Sequence, residues 1–375
     1  MNQNLKSRSW IEIDLKNLEN NINEFKKIMS PQSQLLAIIK ANAYGHGMIE
    51  IAHYLNKLGI KHFGVATIDE GIKIRKSGVL GEILILGYTD INRVKELKKY
   101  DLTQTLIDYI YAKELNSKKE KIKCHLKIET GMNRLGIVYN NLSELQNVFN
   151  LPNLEITGIY SHLCCADSRK KSDLKYTEQQ IKNFNFAITK LKEAQIKIPK
   201  IHLQSSYGLL NYSSLKYDYV RIGIAMYGVL VSADAIPEEQ VNLKPVLSLK
   251  SKIILIRDIP KDSYISYGRT FKTKRPTTMA VLPIGYADGL PRNLKNGQVI
   301  IKDQIFPIVG RICMDQLMID ITDGINISRG DTAIIIGKSK NKEIKAETLA
   351  QNSDSITDEL LSRMGDRLPV IFKDK

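Results

Sequence analysis

Leu35-Leu36-Ala37-Ile38-Ile39-Lys40-Ala41-Asn42-Ala43-Tyr44-Gly45-His46-Gly47 opens with five apolar residues and breaks abruptly at a lysine. An apolar run of that length, bounded by small residues and two glycines, reads as a fully buried strand with Lys40 at its C-terminal tip. Lysine half withdrawn from water at such a place holds its ammonium form less firmly and becomes a better nucleophile or Schiff-base partner. Taken alone, Lys40 reads more readily as a cationic stem snorkelling from a strand end. The rest of the chain decides between these.

Upstream, Ser9 to Ile13 have strand character and lead into Asp14, a helix N-cap; Leu15, Leu18, Ile22 and Phe25 then recur at helical spacing until Pro31. Downstream the chain alternates regularly. Strands are expected at 35–39, 62–66, 83–86, 103–107, 123–128, 155–160, 200–204 and 217–222. Helical patterns lie between them, such as Met48, Ile51, Ala52, Leu55 and Leu58, and a long one from Leu174 to Ala194. Eight strand-then-helix units in roughly 200 residues are the count of a TIM barrel. Periodicity alone also allows a doubly wound open sheet, although no GxGxxG follows an early strand.

Near Ser232 to Glu239 the texture becomes that of a linker, and beyond it come short β-rich runs separated by Gly, Pro and Asp turns. The expected architecture is α/β, a (β/α)8 TIM barrel followed by a mainly β C-terminal domain. Residues 1–13 would form an N-terminal strand packing with the β-domain, 14–236 the barrel and 237–375 the β-domain.

Composition excludes several classes. The chain of 375 residues is 43% hydrophobic and 25% charged, as in ordinary globular proteins, and no apolar run approaches a membrane span. Met1 to Lys6 lack the apolar core of a secretory signal, so a cytoplasmic address is expected. Cys124, Cys164, Cys165 and Cys313 form no CxxC and read as reduced, mostly buried thiols; no cysteine and histidine spacing supports a metal site. The net charge of +15 is spread in short lysine groups such as Lys119 to Lys123. It reads as solvated faces rather than a nucleic-acid footprint, and no specific nucleic-acid or membrane partner is expected.

The barrel makes a test possible, because its catalytic groups sit after the C-terminal ends of strands. Lys40 and Tyr44 follow the first strand and Glu129 to Gly136 the fifth. His162 follows the sixth, Ser205-Ser206 the seventh, and Arg221-Ile222-Gly223-Ile224 the eighth. Barrels commonly hold a phosphate after strands 7 and 8, where the Ser206 hydroxyl and backbone N–H groups near Gly223 and Ile224 are suitable donors. A nucleophilic lysine and a phosphate cradle on one face imply a phosphorylated aldehyde, pyridoxal 5'-phosphate.

Six motifs in this order resemble those of the alanine racemases, over nearly the whole length. They are Ile39 to Gly47, Glu129 to Gly136, Val220 to Gly228, Ile265-Ser266-Tyr267-Gly268, Leu282 to Gly289 and Gly310-Arg311-Ile312-Cys313-Met314-Asp315-Gln316. The resemblance implies racemisation of L-alanine to D-alanine for cell-wall peptidoglycan, by a homodimer with shared active sites. Lys40 would be the Schiff-base lysine and one base, and Tyr267 of the partner subunit the other. Racemisation needs a proton carrier on each face of a planar centre. Arg221 would face the pyridine nitrogen; because it keeps its proton, it would leave the cofactor a weaker electron sink, which favours racemase over decarboxylase chemistry.

By the same resemblance His162 packs against the cofactor ring, His202 orients Arg221, and Tyr44 adds a phosphate hydrogen bond. Arg134 and the Met314 backbone hold the substrate carboxylate, with Asp315 beside it, and Tyr286 stands in the entryway. Lys127 matches a position carbamylated in some members. Two departures stand out: Ser205 replaces an asparagine before the phosphate serine, and Asp366 falls where a tyrosine touching both phosphate and gate is common. An ionised aspartate there would repel phosphate. The second departure keeps open a racemase of serine or of broader amino-acid range. A cofactor carrier without turnover is the reading from another class, and the second domain bearing Tyr267 and Met314 argues against it.

Overall fold

A computed structural model describes residues 7–374. Eight parallel strands form a closed barrel: β1 (Gln34–Ile38), β2 (His62–Val65), β3 (Glu82–Ile85), β4 (Thr103–Leu106), β5 (Ile122–Glu129), β6 (Leu154–Tyr160), β7 (Lys200–His202) and β8 (Tyr219–Ile222). Each pairs with the next, and β8 closes on β1 through Arg221↔Leu36 and Ile222↔Ala37. All eight expected strands are present. Closure rules out the open sheet that periodicity had allowed. Strand β7 stops at His202, two residues early, because the chain turns to let the Ser205 hydroxyl cap helix Ser206–Asn211.

The strand ends are fixed by apolar packing. Leu36, Ala37 and Ile39 are fully buried, as are Leu18, Ile22 and Phe25 on helix Leu15–Ile28. Each large side chain so buried contributes about 1.5–3 kcal/mol. Asp14 caps that helix by accepting the Asn17 N–H at 3.0 Å.

The second domain is built around a mixed sheet in which Thr332–Lys338 and Leu247–Lys252 lie centrally. The N-terminal strand Ser9–Asp14 joins this sheet. It pairs antiparallel with Leu247–Lys252 (Ile11↔Leu249) and parallel with the C-terminal strand Val370–Lys373 (Ile11↔Val370). Residues 1–6 and 375 of the expected domains lie outside the described residues. Among the described residues, no helix is long and apolar enough to cross a membrane, and no group of three or more His, Cys, Asp or Glu is placed to hold a metal ion.

Candidate active site

The C-terminal mouth of the barrel encloses a cavity of about 610 Å³, the size of small-molecule sites. Lys40, Tyr44, Lys127, Arg134, His162, Ser206, Arg221, Gly223 and Ile224 all line it. Nine residues from five of the eight strands and the loops that follow them thus meet at one place.

Lys40 begins a turn of unusual hand. Ala41, Asn42, Ala43 and Tyr44 have φ of 50°, 52°, 55° and 51°, a left-handed helical turn without glycine. Such conformations cost roughly 1–2 kcal/mol per residue, so surrounding contacts must hold them. Glu70, in the capping box of helix Ile68–Lys76, accepts the Ala41 N–H at 2.7 Å, and Asn42 Oδ1 accepts the Met48 N–H at 2.9 Å. Gly45 closes the turn against helix Thr357–Ser362, where a Cβ would stand 2.2 Å from the Leu361 carbonyl oxygen.

Opposite, the Gly223 N–H donates to Ser206 Oγ at 3.0 Å, and a Cβ on Gly223 would lie 2.8 Å from Tyr44 Oη. Serine hydroxyl, tyrosine hydroxyl and glycine N–H therefore bound one small concavity that any side chain at 223 would fill. That concavity and these donors fit a phosphate group.

Arg221 is buried, and neutral groups alone hold its guanidinium. One Nη donates to His202 Nδ1 at 2.7 Å; the other meets the Ser161 carbonyl at 2.7 Å, the Leu203 carbonyl at 2.9 Å and His162 Nδ1 at 3.2 Å. Burial brings the Arg221 pKa down to about 10. It also drives His162 and His202 well below the usual imidazole range, and the nearby Arg221 charge adds to this. Both imidazoles are therefore neutral and accept from the arginine through Nδ1.

With Nδ1 so engaged, His202 carries its proton on Nε2, 3.0 Å from His125 Nδ1. His125 Nε2 in turn faces Glu82 Oε1 at 3.2 Å, an electrostatic contact rather than an aligned hydrogen bond. Burial alone would raise the Glu82 carboxyl, but His125 and His62 hold it well below the usual range. The guanidinium is thus oriented by a polar chain running down the barrel interior. Sequence reading found His202 but missed Glu82 and His125; a histidine two residues before Lys127, on the same face of β5, was the available signal.

Lys127 is buried under the cavity floor. Burial, then the charges of Arg134 and Arg221, push its amine down to about 8. Arg134 is exposed on the loop that Glu129 organises by accepting the Gly131 and Arg134 N–H groups.

The remaining expected residues lie elsewhere in this chain. Tyr267, Met314 and Tyr286 are 66%, 52% and 38% exposed on the second domain, and none lines the cavity. Tyr267 follows Ser266, whose φ is 70°, and the Ser266 hydroxyl donates to the Arg311 carbonyl at 2.6 Å. The turn is thereby pinned to the loop of Cys313 and Met314, with the phenol held outward. Arg367 donates to Asp315 Oδ1 at 2.7 Å and also approaches the buried Asp288.

Two expectations need correction. Asp366, anticipated at the phosphate, is exposed and outside the cavity wall. The carboxylate that lines the cavity is Asp358, in the first turn of helix Thr357–Ser362, and its Oδ2 is buried without a hydrogen-bond partner. Burial raises the Asp358 carboxyl, Lys40 opposes this, and Asp167 adds to it. The cysteines, expected mostly buried, are so only at Cys124; Cys164 is exposed, and Cys165 and Cys313 are partly so. All three lie on loops, which leave their thiols open to solvent.

The alanine racemase N-terminal domain family matches residues 13–231, and the alanine racemase C-terminal domain family matches 246–372. An amino-acid racemase of Enterococcus faecalis is 46% identical over 97% of this chain and 51% of its own length. The chain thus spans about half the length of such relatives. An alanine racemase of Carboxydothermus hydrogenoformans is 38% identical, with 97% and 99% of the two chains covered. The solved alanine racemase of Clostridium difficile 630 superposes with a TM-score of 0.91 at 35% identity, covering 98% of this chain and 96% of its own. With both domains matched and the barrel mouth built from the residues described, the chain belongs to the alanine racemase family.

Proposed function

We propose that this protein interconverts L- and D-alanine with pyridoxal phosphate, the D-isomer serving cell-wall peptidoglycan. The convergence of Lys40, Arg221, Ser206 and Gly223 on one cavity carries the reading. Bound covalently at Lys40 Nζ, the cofactor supplies the electron sink that lets the substrate Cα–H ionise. Ser206, Tyr44 and the N–H groups of Gly223 and Ile224 hold its phosphate, and His162 packs on its ring. Arg221 keeps its protons and donates to the ring nitrogen, while His202 keeps the guanidinium from turning. Arg134 takes the substrate carboxylate.

Lys40 Nζ moves the proton on one face of Cα. Tyr267 is exposed and lies outside the cavity of its own chain, which supports the proposal that a partner subunit supplies the second proton carrier. In that homodimer the partner's Tyr267 serves the other face, and the surface bearing Met314, Asp315 and Tyr286 covers the mouth. The direct test is the visible absorption band of purified protein, its loss on borohydride-free dialysis of a Lys40→Ala variant, and L-to-D turnover of alanine.

Lys127 adds a carbon dioxide response. A neutral buried amine forms an N–C bond with carbon dioxide and releases a proton, leaving a carbamate that offsets the adjacent Arg134 and Arg221 charges. Since the folded amine titrates near pH 8 and the unfolded one near 10.5, the bare lysine destabilises the fold fully below about 8, and this penalty fades as pH rises toward 10.5. Bicarbonate at pH 8 is expected to raise the thermal midpoint by about one degree, the effect of about 1 kcal/mol in a protein of this size, and to do nothing for Lys127→Met. An equal rise in both proteins refutes carbamylation.

A second reading, racemisation of serine as well as alanine, is favoured by the unpartnered Asp358 Oδ2 in the cavity wall. It is in keeping with a relative of Enterococcus gallinarum named serine/alanine racemase, 41% identical over 95% of this chain. A buried acceptor without a partner discriminates in favour of a substrate hydroxyl. Asp358→Ala should lower the serine-to-alanine ratio of kcat/KM about tenfold, the worth of one hydrogen bond to a charged group. An unchanged ratio removes Asp358 from substrate selection.

A further inference from the structure

The loop after β6 carries two neighbouring thiols that the proposed racemisation does not use. Cys164 is exposed and lines the cavity, and Cys165 sits half-buried behind it. Their sulfurs are 3.8 Å apart. Both are fixed by helix Lys171–Glu193: Cys165 Sγ lies 3.4 Å from the Asp173 carbonyl and 3.4 Å from Thr177 Oγ1, and the Cys164 N–H donates to Gln180 Oε1 at 3.0 Å. Gln180 also donates to the His162 carbonyl at 3.2 Å, so the pair and the cavity wall share one support.

We infer that Cys164 and Cys165 form a dithiol site that chelates a trivalent organoarsenical at the cavity wall. Trivalent arsenic is pyramidal, and two sulfurs each about 2.3 Å from such a centre stand about 3.4 Å apart; the pair at 3.8 Å reaches that spacing by a small side-chain rotation. A disulfide is the poorer outcome, because adjacent Cα atoms are about 3.8 Å apart and disulfides usually need about 4.4–6.8 Å. Burial and the neighbouring Cys165 also push the Cys164 thiol up to about 11, which slows oxidation that requires thiolate. No third His, Cys, Asp or Glu among the described residues completes a metal site. Two protein ligands suit a centre that brings its own third substituent.

With phenylarsine oxide, two As–S bonds form as two S–H bonds and the arsenic–oxygen bond break. Both protons leave with the oxygen as one water, and arsenic stays trivalent. The probe is phenylarsine oxide added to the 375-residue chain loaded with cofactor, read by intact mass. One adduct per chain should survive an excess of the monothiol 2-mercaptoethanol and be released by the dithiol dimercaptopropanol. Cys164→Ser should lose at least nine-tenths of this resistant adduct, whereas Cys313→Ser keeps it. Removal by monothiol in the unmodified protein, or a resistant adduct that persists in Cys164→Ser, overturns the site. Cys164 is exposed, so its serine variant decides the matter even where Cys165→Ser fails to fold.

Discussion

Lys40→Ala is expected to lose at least about a thousandfold in racemase turnover, because one substitution removes both the covalent anchor and a proton carrier, and general acid–base catalysis alone accounts for about 10²–10⁴. Melting temperature should move little: the Lys40 side chain is only partly buried and no carboxylate pairs with it in the described residues. Turnover is read by following optical rotation or a coupled assay specific for D-alanine. Wild-type turnover in this variant would sink the assignment of Lys40 and, with it, the cofactor chemistry of the cavity.

The second large effect is a recovery. Tyr267→Phe, which keeps the ring and deletes the hydroxyl, should fall at least a hundredfold in turnover, as should Lys40→Ala. Mixed in equal amounts and allowed to exchange subunits, the two dead proteins should regain about a quarter of wild-type activity. Half of the dimers are then mixed, and each mixed dimer holds one site with both defects and one with neither. Full inactivity of mixed dimers, once their presence is established by native mass, would show that Tyr267 does not serve a neighbour's cavity.

Much of the architecture was readable because a parallel barrel buries its strands on both faces. Each strand then appears as a short apolar run, and the functional side chains fall just after it. That logic located Lys40, His162, Ser206 and Arg221. Long-range pairing was less legible. Nothing local in Val370–Lys373 marks it as the parallel partner of Ser9–Asp14, a match made across the whole chain. Asp358 escaped for a related reason: helix Thr357–Ser362 reaches the cavity only because it packs on the Gly45 turn. Counting back from Arg367-Leu368-Pro369 therefore selected Asp366, an exposed residue. His125 was visible as a polar residue within β5, but its pairing with His202 and Glu82 joins three separate strands and declares itself only in three dimensions.

The left-handed turn from Ala41 to Tyr44 has an evolutionary consequence. Glycine at 41, where the alanine methyl is exposed, would relieve backbone strain, yet it would also slacken the segment that aims Lys40. Position 42 is different, because glycine there would forfeit the bond that Asn42 accepts from Met48, and at 43 it would remove a buried methyl. Stability alone therefore pulls only position 41 toward glycine, and a well-aimed amine pulls it away. Stabilising this protein by design should therefore begin far from that turn, where a gain in rigidity leaves the nucleophile undisturbed.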